Sequence, residues 1–112
     1  MKNLKLSIEL ASTVLGKEVT KCSLINKSRN SINITYFEDR EDFNPICREW
    51  NIYEFAFKCK EWARDKYNIT ISSALYSDYA KSWNVDKDKS YTAKTEVEVI
   101  IEACEWILEQ NK

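Results

Sequence analysis

Apolar residues recur with a helical spacing in two long segments of the chain. The first segment carries Ile52, Phe55, Ala56, Cys59, Trp62 and Ala63, and the second carries Val97, Ile100, Ile101, Cys104, Ile107 and Leu108. Both sets follow the i, i+3, i+4, i+7 pattern, which places them along one face of an α-helix. The pattern predicts a helix from Asn51 to about Tyr67 and another from Thr95 almost to Lys112. Each should bury its apolar face, including its cysteine.

Both long helices begin with a capping pattern. Asn51 is followed three residues later by Glu54, and Thr95 is followed three residues later by Glu98. A side-chain oxygen at the N-cap accepts from free backbone N–H groups of the first turn, and the glutamate three positions on completes a capping box. These pairs predict where the two helices begin.

A third, shorter helix is predicted near the N-terminus. Ser7 is a suitable N-cap for residues 8–15, and Gly16 follows them. Gly16 is the only glycine in the chain. A glycine directly after a helical segment is typical of the left-handed residue that ends a helix.

The remaining segments alternate with period two, which is typical of strands. Two alternating runs in residues 17–37 flank the polar stretch 26–30 and predict a hairpin. Strands are also predicted over Ile69–Tyr76 and Tyr79–Val85, and a short last strand around Tyr91 and Ala93, after a polar turn at 86–89. Residues 38–50, with a charged run and Pro45, are predicted to be a loop.

The predicted order is α-ββ-α-ββ-α within a single domain, residues 1–112. It favours a two-layer α+β fold, in which an antiparallel sheet of about four strands carries helices on one face. The two long helices share their apolar register, with Cys59 matching Cys104 at an offset of 45 residues. This match suggests an internal ββα duplication.

Composition narrows the function classes. With 17 basic and 18 acidic residues the net charge is -1, so binding to nucleic acid is not expected, although a local basic face stays open. No stretch reaches the roughly 20 apolar residues of a membrane span. Without a secretory signal at the N-terminus, we expect a cytoplasmic protein with reduced cysteines.

Several catalytic chemistries lack their usual residues. The chain has no histidine, one glycine and no C-x-x-C pair. This argues against a histidine base, a structural zinc site and a glycine-rich nucleotide loop. We therefore expect no enzyme, no metal and no cofactor. Catalysis by carboxylates alone stays open, because it depends on geometry that a sequence does not display.

Aromatic residues off the helical core stripes are candidates for a protein interface. On a helical wheel Trp106 falls nearly opposite the Cys104 stripe, with Val99 beside it, and Phe57 is placed similarly on the first long helix. Large aromatics are enriched at interfaces. The alternative is that the N-terminal helix or the 38–50 loop covers Trp106. If neither does, a homodimer through the C-terminal helix is expected.

A second candidate is a ligand-binding strand. Tyr79, Lys81 and Trp83 alternate with smaller residues, and Tyr91 is close in sequence. Lys87, Lys89 and Lys94 lie nearby. Aromatics interleaved with lysines can stack on a base and neutralise phosphate. The alternative is a half-buried strand whose aromatics pack under the helices.

Parts of the chain resemble small proteins from bacterial genomes and phages. The stretches are ELASTVLG at 9–16, NIYE at 51–54, CKEWA at 59–63 and IEACEWILE at 101–109. They are similar to proteins of the NinX-like and phage ABA-sandwich kind, which end in a strand followed by a helix that Thr and Glu initiate. The resemblance implies a phage or mobile-element origin and a compact α+β fold. It transfers no catalytic residue.

These observations lead to two functional hypotheses. The first is a non-enzymatic accessory protein of phage or mobile-element type that binds a macromolecule, with a component of host defence as its partner. The alternative is a protein that binds a small ligand such as a nucleotide signal through Tyr79 and Trp83.

Overall fold

The computed structural model describes residues 6–26, 31–39, 41–84 and 89–111, and for 23–26 the backbone alone. The predicted turns at 26–30 and 86–89 therefore lie largely outside the described residues. The elements are α1 (Ile8–Leu15), β1 (Glu18–Asn26), β2 (Ser31–Phe37), β3 (Ile46–Asn51), α2 (Ile52–Tyr67), β4 (Ile71–Leu75), β5 (Ala80–Asn84), β6 (Lys89–Ala93) and α3 (Glu96–Gln110).

The α+β class is confirmed, but the predicted single sheet of about four strands is wrong. The described residues form two three-stranded antiparallel sheets, β1-β2-β3 and β4-β5-β6, in the order α-βββ-α-βββ-α. The prediction missed β3, which was assigned to a loop. This strand lies at a sheet edge and carries the exposed residues Arg48 and Glu49, so it lacks the apolar alternation of a half-buried strand.

Each sheet is a meander whose strands pair with their neighbours in sequence. The Cα positions extend over 44 × 33 × 17 Å. The shortest dimension leaves room for one layer of sheet and one layer of helix. Helix α3 contacts all three strands of the second sheet, and α1 packs on β1 of the first.

The short helix α1 has the predicted limits. The Ser7 Oγ accepts a hydrogen bond from the Leu10 backbone N–H at 3.0 Å. Gly16 has φ 66° and its N–H donates to the Ser12 carbonyl oxygen at 2.9 Å. A side chain at this φ would be strained, which explains the position of the only glycine.

The caps of the long helices are also confirmed. The Asn51 Oδ1 accepts from the backbone N–H groups of Tyr53 and Glu54, at 2.8 and 3.3 Å. The Thr95 Oγ1 accepts from the Glu98 backbone N–H at 3.3 Å and donates to the Glu98 carboxylate at 3.0 Å. Asn51 is at once the last residue of β3 and the cap of α2, so strand and helix join without a loop.

Helices α2 and α3 contact each other through their cysteines. Cys59 and Cys104 are fully buried, as predicted, and the Cys104 Sγ–H donates to the Cys59 carbonyl oxygen at 3.5 Å. Burial, followed by the contact with Cys104, raises the pKa of the Cys59 thiol well above its ordinary value. All four cysteines are free thiols, and these two act as small apolar residues in the contact between the helices.

Polar side chains tie the helices to the rest of the fold. The Trp62 Nε1–H of α2 donates to the Thr13 Oγ1 of α1 at 3.2 Å. Ser73 of β4 accepts from the Lys60 Nζ at 2.9 Å and donates to the Glu96 carboxylate at 2.8 Å, which connects α2 to the start of α3.

None of the helices in the described part of the chain combines the length and the apolar character that crossing a bilayer requires.

The caps give a first prediction. Asn51→Ala and Thr95→Ala should each lower the free energy of unfolding by about 1 kcal/mol, because each leaves backbone N–H groups of a first helical turn without an acceptor. Chemical denaturation followed by circular dichroism measures the change. Thr70→Ala, at an exposed loop position, is the control and should leave the midpoint unchanged. Unchanged midpoints for both cap variants would contradict the assignment of these caps.

The cysteines give a second prediction, on thiol reactivity. Cys47 is exposed and should react at once with an aromatic disulfide reagent in the native protein. Cys22 is half-buried, and burial raises its pKa, so it should react more slowly. Cys59 and Cys104 should react only after unfolding. Mass spectrometry of labelled peptides identifies each site, and rapid native labelling of Cys104 would contradict the packing of α2 on α3.

Candidate functional site

Two aromatic residues stand out from the exposed side of α2. Phe57 is 63% exposed and Tyr53, one helical turn before it, is 53% exposed. They border a shallow hollow of about 400 Å³, and its lining, which we call the α2 patch, consists of Tyr53, Glu54, Phe57, Lys58 and Glu61. The opposite face of the same helix is buried, so the core holds the patch in place. The predicted outward position of Phe57 agrees with this exposure.

A cation–π contact fixes one edge of the α2 patch. The Lys58 Nζ lies 5.8 Å from the centre of the Trp50 ring, which is half-buried at the end of β3. Lys58 therefore borders the hollow and also contacts a residue of the first sheet. Glu54 and Glu61 are then the charges that flank the two aromatic rings.

The predicted outward position of Val99 and Trp106 is wrong. Val99 is 0% exposed, and its carbonyl oxygen accepts from the Ser82 Oγ at 2.8 Å. Trp106 is half-buried against the core, with the Lys89 Nζ 5.9 Å from its ring centre. The sequence reasoning placed only the N-terminal helix or the 38–50 loop over this side of α3. Strands of the second sheet contact α3 at both residues, through Ser82 at Val99 and through Lys89 at Trp106.

The strand residues Tyr79, Lys81 and Trp83 lie on the side of the second sheet that faces away from α3. Ala80, Ser82 and Asn84 alternate with them and are buried. Tyr79 is 43% exposed, and Lys81 and Trp83 are half-exposed. Trp83 does not belong to the core cluster or to the residues that pack on it. The alternative, a strand whose aromatics pack under the helices, therefore does not hold for these residues.

Two tyrosines stack at the end of this sheet. Tyr76 and Tyr79 have ring centres 4.9 Å apart with 23° between the ring planes, and the Tyr76 N–H donates to the Tyr79 carbonyl oxygen at 2.7 Å. By strand alternation and pairing, the same side of the sheet carries Ser72, Ala74, Lys81, Trp83, Ser90 and Thr92. We call the β-face these six residues together with the stacked tyrosines Tyr76 and Tyr79 and with Lys94, the exposed residue that directly follows β6. This surface combines exposed aromatics with lysines.

Tyr91, predicted to join these residues, lies on the other side of the sheet. It pairs with Ser82, and directly opposite residues in an antiparallel pair share a face. Its ring packs near the core, with the Lys89 Nζ 5.8 Å from the ring centre. Partial burial, followed by the charge of Glu102, raises the pKa of the Tyr91 hydroxyl. Lys87, also proposed near this site, lies outside the described residues.

A second hollow, of about 540 Å³, lies where α1 ends beside the first sheet. Its charged lining includes Lys17, Glu18, Glu38 and Asp39. Lys17 is already engaged, because its Nζ donates to the Glu38 carbonyl oxygen at 3.1 Å and lies 3.6 Å from the Glu38 carboxylate. Among the described residues that line the hollow, none therefore offers a ligand a basic group that lacks a partner.

Within the residues that the structure describes, His, Cys, Asp and Glu side chains nowhere come together as a group of three or more that could hold a metal ion.

The sequence reasoning did not single out Tyr53 or Tyr76. Tyr53 lies four residues before Phe57. A helical wheel that also marked the exposed positions would have shown the two side chains next to each other on the outward face. Tyr76 ends one predicted strand and Tyr79 begins the next. Recognising the short turn between them would have brought the two rings together on one side of the hairpin.

Comparison with known proteins gave no match to a family model, to a curated protein or to a solved structure. The resemblance to phage and mobile-element proteins stays a prediction. The α2 patch and the β-face are therefore the surfaces from which a function is inferred.

The charges on α3 give a third prediction. Partial burial, followed by the nearby charge of Glu98, raises the pKa of the Glu102 carboxyl above its ordinary value. A raised carboxyl pKa means that the folded state holds the proton more tightly than the unfolded state, so ionisation at neutral pH opposes folding. Glu102→Gln should therefore raise the thermal midpoint at pH 7.

This gain should shrink as the pH falls through the folded-state pKa and should vanish below the unfolded value of about 4.3, where both states are protonated. Thermal melts at several pH values measure the difference. Glu41→Gln, in the exposed loop, is the control and should leave the midpoint unchanged. A lower midpoint for Glu102→Gln at pH 7 would contradict the prediction.

Proposed function

We propose that this protein is a non-enzymatic binding protein that recognises another protein through the α2 patch. The observation that carries the proposal is the exposure of Phe57 and Tyr53, one turn apart, on a helix whose opposite face is buried. An exposed phenylalanine beside an exposed tyrosine leaves a large apolar area in water, and contiguous areas of this kind mark contact sites.

The chemistry of the α2 patch indicates what kind of partner it fits. Aromatic side chains act as anchors at the centres of protein interfaces, where they bury much apolar area at a low entropic cost. Glu54 and Glu61 border the two rings, and Lys58 lies over Trp50. A complementary partner would place an apolar side chain in the hollow and basic side chains at its rim.

The resemblance to phage and mobile-element proteins supports an accessory role within this proposal. We therefore include a component of host defence as the class of partner. This part of the proposal depends on the resemblance, whereas the location of the patch depends on the structure.

A homodimer stays a prediction, but the reason first given for it, an outward-facing Trp106, does not hold. It was expected through Trp106 because that residue was placed on an outward face, but Trp106 is half-buried against the core, beside Lys89. Sedimentation equilibrium of the purified protein tests the homodimer directly.

The α2 patch gives a fourth prediction. The protein, immobilised at its N-terminus, should retain a partner from a lysate of the bacterium that carries the gene. Phe57→Ala should abolish this retention because it removes the central anchor. The retained protein is then purified and titrated calorimetrically. Phe57→Ala and Tyr53→Ala should each weaken binding by at least about tenfold, the effect expected of an interface anchor.

Tyr79→Ala is the matched control, because it removes an exposed aromatic ring from the other layer of the molecule. It should bind the purified partner as the wild type does. Circular dichroism checks that each variant is folded. Equal affinity of the wild type and Phe57→Ala would overturn the assignment of the α2 patch, and an equal loss in Tyr79→Ala would show that the patch is not the specific site.

A further inference from the structure

We propose that the β-face of the second sheet is a binding site for single-stranded nucleic acid. The site is independent of the α2 patch and lies on different residues. It is formed by the stacked pair Tyr76 and Tyr79, by Trp83 and Lys81 of β5, and by Lys94, which is exposed and directly follows β6.

The spacing of the aromatic rings suits stacking on successive bases. Tyr79 and Trp83 lie on the same side of one strand, four residues apart, which is about 13 Å along a strand. Lys81 lies midway between them and has no ion pair within the described part of the chain. Two stacking surfaces with a cation between them can hold two separated bases and the phosphates that connect them.

Charge complementarity supports an anionic ligand. Among the described residues of the β-face there are two lysines and no carboxylate. The nearest described acidic residue in sequence is Asp78, in the turn between the stacked tyrosines. The net charge of -1 does not reveal this local excess of lysines, because it is summed over the whole chain.

The shape of the β-face favours a strand of nucleotides over one nucleotide. Small-ligand sites are concave and enclose most of the ligand. The β-face is the open side of a three-stranded sheet, so a single base would gain only one stacking contact. A single strand gains several contacts along the sheet. A duplex offers few, because its bases are already stacked on each other.

The area of the β-face argues against a second copy of the chain as the occupant. The nine residues of the β-face lie over a footprint of about 16 Å by about 14 Å, whereas a stable protein interface takes roughly 20–30 residues from each partner. A two-fold contact would also place the face on itself, so that two lysine-bearing surfaces would meet without a carboxylate from the described residues of either face.

Fluorescence anisotropy with a labelled oligo(dT) of about 12 nucleotides tests the proposal. The wild type should bind at low salt, and the intrinsic tryptophan fluorescence should change on binding. Tyr79→Ala and Trp83→Ala should each weaken binding by about 5- to 150-fold, the usual effect of losing one stacked base. Between about 50 and 200 mM salt, the logarithm of the affinity should fall with a slope of about -1.4 for two lysines, and about -0.7 in Lys81→Ala.

Matched variants separate stacking from loss of structure. Tyr79→Phe keeps the ring and should retain binding, whereas Tyr53→Ala removes an exposed tyrosine from α2 and should have no effect. Phe57→Ala should also bind the oligonucleotide normally. Lys81→Glu reverses a surface charge, so it should abolish binding with native circular dichroism even if Trp83→Ala proves unfolded.

Four outcomes would overturn the proposal. The first is no binding by the wild type at low salt. The second is equal affinity for a duplex or for oligoglutamate. The third is full displacement of the labelled oligo(dT) by a mononucleotide at the same concentration, which would favour a small-ligand site. The fourth is an equal loss of binding in Tyr53→Ala.

Discussion

The fold depends on the contact between α2 and α3. Each sheet is a local meander, and the helices join the two halves into one core. Cys59 and Cys104 are small enough for the helices to approach closely, and the Cys104 thiol donates to a backbone carbonyl of the other helix. A larger side chain at either position would push the helices apart. Because α3 also contacts all three strands of the second sheet, a shift of this helix would move the support of the β-face.

The helices could be predicted from the sequence almost to the residue, because apolar spacing and an N-cap residue agreed at each of them and a glycine also marked the end of α1. Apolar spacing defined the buried faces, Ser7, Asn51 and Thr95 marked the starts, and Gly16 marked an end. The sheets were less predictable. Edge strand β3 has charged residues where the pattern required apolar ones, and no local signal shows that six strands divide into two sheets. That division depends on contacts between distant parts of the chain.

The candidate surfaces could be predicted only where the exposure of a side chain depends on its own helix or strand and not on what packs against that element. Phe57 lies off the core stripe of α2, and nothing in the described structure covers it. Val99 lies off the stripe of α3 in the same way but is fully buried, because α3 is covered on more than one side. A helical wheel cannot distinguish these cases. Tyr91 shows the same limit for strands, since its side of the sheet follows from its pairing with Ser82 rather than from its neighbours in sequence.

The short connection between the two halves has a consequence for assembly. Residues 68–70 alone join α2 to β4, and Asn68 reverses the chain there in the left-handed conformation, with φ 56°. If this hinge straightened, the second half of one molecule could pack its α3 on the α2 of another with every native contact preserved. The result would be a domain-swapped dimer, a form that costs little once the hinge opens. The left-handed turn at Asn68 is thus the point at which such an exchange of halves would have to begin.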